Sequence, residues 1–455
     1  MIMPSLNLAH RINLKLRDCI FIFVIALIFR ISIISFYNTD TIPIDGTGYH
    51  RIAYNITEGQ GYCLHQGEKY FFREPGYPIF LSFSFKISKL FGNNTENLSF
   101  DSNYKILNNA PEIKIAKYMQ AILDSFACVL FFLLIGVILN RKFAFLIAII
   151  FSLYFQYAYN VTFILRETLQ SFLTIAMCYS LLRYFKTNKT KYLISTGIIW
   201  GLINLTFQAS LIFAVSIPIF ILIYKKSFIK AIIPSMIVIL MMILTISPWL
   251  IRTYNSYPDT RILKSFGTSL TPEYRSYYSA VIAGHYYGLI SKEKLDSITI
   301  NDFANISEVQ KFRFSWDGTF NRKRDSINAL VCEPIISNRK IIATANKLKN
   351  CAPPTFSKNL INESPTSAGL LILPVAMICI FSILGAIMFF RKFFTLNITL
   401  VTYLAIFMLI ADEKRRMLPI QPFILLYGMM GIFYFYYKYY KRYDNKTIID
   451  VFFIS

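Results

Sequence analysis

The chain has 455 residues, 55% of them hydrophobic, with a mean hydropathy of +0.47. Only 16% are charged, well below the roughly 25% of soluble domains, and apolar runs of membrane-spanning length recur along most of the sequence. These values exclude a soluble enzyme, a disordered chain and a fibrous protein, and predict an all-α polytopic membrane protein. The net charge of +22 lies in short basic clusters between apolar runs, as the positive-inside rule and anionic headgroups produce. No basic stripe is interleaved with free aromatics, so no nucleic-acid partner is expected. The seven cysteines show no metal-site spacing, and Cys19, Cys128, Cys178 and Cys379 read as small apolar residues within spans.

In chain order, residues 1–18 form an expected cytoplasmic N-terminus, where Arg11, Lys15 and Arg17 precede an apolar run from Cys19 to Tyr37. No small-x-small cleavage site follows, the pattern of an uncleaved signal anchor. Further spans are predicted at 113–139, 143–159, 163–185, 191–208, 209–224, 230–250, 367–390, 393–411 and 418–436. The basic clusters are Arg141-Lys142, Arg183 through Lys191, Lys225-Lys226 with Lys230, Arg391-Lys392 and Lys438 through Lys446. Placing all of them inside requires ten spans with both termini inside. Residues 38–112 then lie wholly outside, and the apolar stretch 75–91, carrying Lys86 and Lys89, is read as a helix in the membrane interface.

The expected organisation is a seven-span module at 19–250 that includes the exterior loop 38–112. A large exterior, periplasmic loop follows at 251–366, then three spans at 367–436 and a cytoplasmic tail at 437–455. Loops as long as the second exterior segment are usually functional. It holds Cys332 and Cys351, and an oxidising exterior permits their disulfide. No internal repeat is visible, which counts against a transporter.

Polar residues that solubility does not explain collect at the exterior face. The first loop carries Asp45-Gly46-Thr47-Gly48-Tyr49-His50-Arg51, Glu58-Gly59-Gln60-Gly61-Tyr62 and Arg73-Glu74-Pro75-Gly76-Tyr77-Pro78. Arg166-Glu167 stands at the turn between the third and fourth spans. Pro248-Trp249-Leu250-Ile251-Arg252 ends the seventh span, and Asp412 through Pro419, with Arg415 and Arg416, joins the last two. Charge from four separated segments on one membrane face suggests a site, because desolvating it is costly. Each residue also has a structural reading. Asp45 before Gly46 is a turn-former, Glu167 suits a helix N-terminus, and Arg252, Arg415 and Arg416 could snorkel to headgroups. His50 and His65 lack the spacing of a helical metal pair. Inside the bilayer, Arg30 and Asp124 are expected to pair and lock the first two spans together.

The order of motifs is Asp45, then Ala53-x-Asn55-Ile56-x-x-Gly59-x-Gly61-Tyr62, then Arg73-x-Pro75-Gly76-Tyr77-Pro78. Glu167-Thr168-Leu169, Pro248-Trp249-Leu250-Ile251-Arg252 and Glu413-x-x-Arg416-x-Leu418-Pro419-Ile420-x-Pro422-Phe423 follow. Over about residues 19–436 this resembles the GT-C superfamily of membrane glycosyltransferases. More narrowly, it resembles the bacterial relatives of dolichyl-phosphate-mannose protein mannosyltransferases and of the lipid A aminoarabinose transferase. The resemblance implies a GT-C-like fold of about ten transmembrane helices, seven of them before the large loop, with interface helices in the first exterior loop. It implies a polyprenyl-phosphate-linked sugar donor used on the exterior face of a bacterial inner membrane, with a glycan, lipid or protein as acceptor and membrane lipids around the body.

By position, the resemblance makes Asp45 the catalytic base, with Arg252, Arg415, Arg416 and Arg73 as donor-phosphate ligands. Tyr49, His50, Glu74, Tyr77 and Glu167 are the expected substrate-binding residues. The chain departs from the family at Gln208-Ala209, where Arg-Pro is frequent, and at Gly46, where the protein mannosyltransferases carry a second acidic residue. No cofactor is required, although a divalent metal is compatible with the chemistry. The competing readings are an O-antigen-type polysaccharide polymerase using pyrophosphate-linked donors, a lipid or solute transporter, and a non-catalytic scaffold.

Overall fold

A computed structural model describes residues 16–37, 44–63, 73–93, 110–256, 377–378, 380–389, 392–393, 396–397, 400–402 and 418–453, apart from the side chains of Ile44, Asp45, Thr47, Tyr254 and Ser256. Among the described residues every regular element is helical, with one isolated bridge between Leu139 and Phe453. Helix α1 (Leu16–Phe36) is followed by α2 (Ile44–Thr57), α3 (Gly76–Leu90), α4 (Pro111–Ile135), α5 (Arg141–Ser152), α6 (Phe155–Ala158), α7 (Glu167–Thr187), α8 (Thr190–Asn204), α9 (Phe213–Lys225) and α10 (Phe228–Ser256). Near the end of the chain come α11 (Ile380–Phe389), α12 (Gln421–Phe435) and α13 (Asn445–Phe452). The Cys332–Cys351 pairing, Arg415, Arg416 and most of the span expected at 393–411 lie outside the described residues.

The bundle is a run of neighbours: α9 packs on α10, α10 on α8, α8 on α7, α7 on α4 and α4 on α1, with α5 wedged against α4 and α1. Five helices among the described residues are long and apolar enough to cross a membrane, and six if α5 and the segment after it form one span. The expected span at 143–159 is therefore not straight. It breaks at Leu153-Tyr154, where Tyr154 is extended, and bends by 54° into α6 and the 3-10 turn Tyr159–Thr162. The expected fourth and fifth spans, α7 and α8, fall short of that standard for different reasons. α8 has only 15 residues. α7 has 21 but is rich in polar side chains, among them Gln170, Ser171 and Thr174, all buried. A helix that faces other helices on most sides needs no apolar surface for lipid.

Helix α10 runs to Ser256, past the expected end of the seventh span at residue 250. Its interior Pro248 lacks the N–H that would bond the Leu244 carbonyl. The Ser247 hydroxyl donates to that oxygen instead at 2.9 Å, so the helix continues one more turn and carries Arg252. Helix α8 meets α10 through two glycines one turn apart, Gly197 and Gly201. A Cβ on Gly197 would stand 2.5 Å from the Val238 carbonyl, and one on Gly201 2.5 Å from the Thr245 side chain. This is the small-xxx-small contact of membrane helices. Gly385, Gly428 and Gly431 bring α11 and α12 together in the same way.

Contacts among the connections fall into two groups. On one face Arg141 donates twice to Asp18, at 2.6 and 2.8 Å. Asn140 bonds the carbonyls of Val451 and Phe452, and Lys225 donates to Asn188 at 2.7 Å. The tail after α12 is thus folded back onto the α4–α5 turn. The other face gathers the first loop with the turns before α7 and before α9 and with the end of α10. Between the two faces Arg30 Nε donates to Asp124 at 2.5 Å, both side chains being buried. Arg30 Nη1 donates to the carbonyls of Ala26 and Ser152, and Nη2 donates to Cys128 Sγ. The expected pair of the first two spans is present.

Candidate active site

The first loop folds as two helices, α2 and α3, packed on each other, with α3 also against α4. The faces are set by Tyr49, Ile52 and Ala53 on α2 and by Tyr77, Leu81 and Phe85 on α3, all buried. Opposite them on α3, Ile79, Phe83 and Leu90 are exposed beside Lys86, an outer apolar stripe that suits the expected interface position. Glu58 at the end of α2 bonds Lys89 at the end of α3 at 2.6 Å.

After α2 the chain reverses at Gly59 and Gly61, whose φ values of +77° and +84° favour residues without a Cβ. Asn55 Nδ2 closes the turn on the Cys63 carbonyl at 2.9 Å. The turn delivers Tyr62 to the end of α10. There Arg252 Nη2 donates to the Tyr62 carbonyl at 2.9 Å, and the guanidinium lies 5.2 Å from the Tyr62 ring and 4.8 Å from the Trp249 ring. The i, i+3 spacing of Trp249 and Arg252 puts both on one face of α10, and Tyr62 and Trp249 meet edge-on. The Tyr62 hydroxyl donates to the Arg73 carbonyl at 2.8 Å. The Arg73 guanidinium in turn lies over the Tyr49 ring at 4.6 Å and against Gly48, where a Cβ would come within 2.9 Å of Nε.

Asp45 occupies the first turn of the same helix, and Gly48 and Tyr49 are its i+3 and i+4 neighbours. The backbone thus places the expected base on the face of α2 that supports Arg73, although the Asp45 side chain is outside the described residues.

A second cluster anchors the entry to α3. Arg166 Nη1 donates to Glu74 Oε2 at 2.9 Å and to the Thr206 carbonyl at 3.3 Å, and its guanidinium stacks on Phe207. The Gln208 backbone N–H donates to Glu74 Oε1 at 3.3 Å. Next in sequence, Gly76 N–H donates to the Leu205 carbonyl at 2.6 Å, a contact so close that a Cβ there would lie 2.8 Å from that oxygen. The Gln208 backbone thus helps to hold Glu74.

Other expected substrate-binding residues are buried. Tyr77 is fully buried, with its hydroxyl donating to Gln120 Oε1 at 2.8 Å. Burial first, and then the neighbouring Glu167 and Tyr49, push its phenol well above the ordinary range. His50 is fully buried between Phe85 and Glu112, with Nε2 3.5 Å from the Glu112 carboxylate. Glu167 begins α7 and is 4% exposed, a position that the helix dipole favours. Among the described residues no three of His, Cys, Asp and Glu are grouped to hold a metal ion. Sequence reasoning assigned no role to Tyr62, Trp249, Arg166 or Gln208. The paired glycines before Tyr62 and the helical spacing of Trp249 with Arg252 were the signals available for two of them.

Residues 105–251 match the family model of dolichyl-phosphate-mannose-protein mannosyltransferases. The match includes Glu167, ends one residue before Arg252 and begins after Asp45, Arg73 and Glu74. No curated protein matches the chain. Among solved structures, the oligosaccharyltransferase AglB of Archaeoglobus fulgidus, in complex with an inhibitory peptide and a dolichol-phosphate, superposes with a TM-score of 0.52. It is 14% identical, with 93% of this chain and 51% of that chain covered. The apo form of the A. fulgidus oligosaccharyltransferase gives 0.50 at 14% identity, over 95% and 52%. The chain has the GT-C fold. It spans about half the length of these archaeal chains, and the resemblance read from its motifs is borne out.

Proposed function

We propose that this GT-C chain is a glycosyltransferase that moves a hexosyl or pentosyl group from a polyprenyl monophosphate to an acceptor at the exterior face of a bacterial inner membrane. The observation that carries the reading is that Tyr62 ties the Arg252 guanidinium to the Arg73 backbone, beside the helix whose first turn holds Asp45. The family model matched by residues 105–251 and the dolichol-phosphate bound to the archaeal protein of the same fold support a polyprenyl-phosphate donor.

In this reading Asp45 takes the proton of an acceptor hydroxyl as its oxygen attacks the anomeric carbon. The bond from that carbon to the phosphate oxygen breaks, and negative charge grows on the departing phosphate. Arg252 and Arg73, with Arg415 and Arg416 as further expected ligands, stabilise that charge. Direct attack with a single base inverts the anomeric configuration, as in inverting glycosidases. Arg166 is already paired with Glu74 and serves the scaffold. The acceptor is a glycan, a lipid or a protein.

Native mass spectrometry of the purified chain, wild type beside Arg252→Ala, tests the reading through the lipid that is retained. A polyprenyl monophosphate, bare or sugar-linked, held by wild type and weakened by the substitution is the expected result. A pyrophosphate-linked oligosaccharide would replace this reading by a polymerase. Bulk phospholipid alone, unaffected by the substitution, would overturn it in favour of a transporter or scaffold.

A further inference from the structure

We propose that Tyr62 is a positioning residue that sets the separation of the two phosphate-binding arginines. The inference rests on the reading of Arg73 and Arg252 as ligands of the donor phosphate. Tyr62 bonds both of their segments with different atoms. Its carbonyl accepts from Arg252 Nη2 at 2.9 Å, and its hydroxyl donates to the Arg73 carbonyl at 2.8 Å.

The two arginines come from the first loop and from α10, 179 positions apart in the chain. Each guanidinium also rests on an aromatic ring, Arg73 on Tyr49 and Arg252 on Trp249. Such stacking restricts tilt and leaves in-plane N–H groups available to an anion. The stacks alone leave the spacing between the two cations free. Tyr62, bonded to the Arg252 guanidinium and to the Arg73 backbone carbonyl, fixes the two segments against each other, and it belongs to a turn whose direction is set by Gly59 and Gly61. Two cations held at fixed spacing bind a phosphate with less loss of side-chain freedom than two independent ones.

The hydroxyl contact can be removed alone. Tyr62→Phe keeps the ring, the edge-on contact with Trp249 and the backbone carbonyl bonded by Arg252. The binding constant of a polyprenyl monophosphate is measured on the full chain in lipid nanodiscs, for wild type, Tyr62→Phe, Arg73→Ala and the double variant. The expected result is binding about fivefold weaker for Tyr62→Phe, the equilibrium value of one ordinary hydrogen bond. The same change is expected to have no further effect in the Arg73→Ala background, because its action passes through Arg73. An equal loss in both backgrounds, or no loss in either, overturns the proposal.

Gly61→Ala gives a second reading through the other bond. Nothing stands within 4 Å of the added Cβ, but the positive φ strains the turn and displaces the Tyr62 carbonyl. Weaker phosphate binding that disappears in the Arg252→Ala background is expected, and an effect that persists there counts against the proposal. If wild type itself retains no polyprenyl monophosphate, the transferase reading fails. If wild type binds, Arg252→Ala weakens binding and Tyr62→Phe does not, only the role of Tyr62 fails.

Discussion

Glu74 and Arg166 form an ion pair at 2.9 Å that joins the entry of α3 to the start of α7. The same carboxylate accepts the Gln208 backbone N–H, and the same guanidinium bonds the Thr206 carbonyl. Three connections on one face of the bundle therefore meet at one pair of side chains. Both are mostly buried, at 21% and 13% exposed, so the bonds are screened less than those of surface pairs.

Replacing Glu74 by Ala leaves Arg166 without its carboxylate and removes an acceptor from Gln208. A loss of about 2 kcal/mol is expected, the scale of hydrogen bonds to charged groups, read as a lowered unfolding temperature in detergent. Glu74→Asp should recover part of it. An unchanged unfolding temperature for Glu74→Ala would show that the pair is incidental to the joint.

What sequence could show here follows from how each signal is encoded. Basic residues sort by membrane side, so the charge clusters made a grouping of connections legible, and Asp18 with Arg141 and Asn140 with Val451 are contacts within one such group. Arg30 and Asp124 were legible because buried charges in apolar runs demand partners. Arg252 was legible as the end of a motif. His50 and Tyr77, expected from the resemblance to bind substrate, are fully buried. Their helices are short and flanked by polar residues on both sides, so local periodicity does not say which face a third helix covers. The break at Leu153-Tyr154 carried no Pro or Gly signal, and Tyr62 meets Arg252 through a backbone carbonyl that any residue has.

The Arg30–Asp124 pair yields a prediction with two opposite arms. Removing one partner, as in Asp124→Ala, strands a charge that is otherwise fully buried, at an expected cost of about 3–5 kcal/mol. Replacing both by apolar residues of similar size, Arg30→Met with Asp124→Leu, should restore most of the stability. Expression yield and thermal unfolding of the three variants measure this. A double variant as unstable as the single would mean that the bonds of Arg30 to Ala26 and Ser152, and not the pair, hold α1 in place.

The α8–α10 contact predicts a steric failure. With the Val238 carbonyl 2.5 Å from a Cβ at Gly197, even Gly197→Ala pushes on backbone, and Gly197→Leu must force the two helices apart. Since α10 carries Arg252, the larger substitution should lower both the unfolding temperature and the retention of polyprenyl monophosphate. Ile198→Leu serves as the control, because that side chain is next to Gly197 on the same helix and is exposed. Equal behaviour of the two variants would argue against tight packing at Gly197.

Gly48→Ala separates binding from folding. The added Cβ would stand 2.9 Å from Arg73 Nε and 3.0 Å from Nη2, atoms at the far end of a flexible side chain that can move away at little cost. An Ala inside a helix is favoured over Gly by about 0.5–1 kcal/mol, so the variant should unfold at the same temperature as wild type or slightly higher. The displaced guanidinium loses its seat on α2 and its stack on Tyr49, and polyprenyl monophosphate binding should weaken severalfold. Arg73→Ala should bind no more tightly than Gly48→Ala, and adding Gly48→Ala to it should change nothing further. If Gly48→Ala binds as wild type does while Arg73→Ala is impaired, Arg73 reaches the phosphate without help from α2, and the placement of its guanidinium over Tyr49 is not the one used in binding.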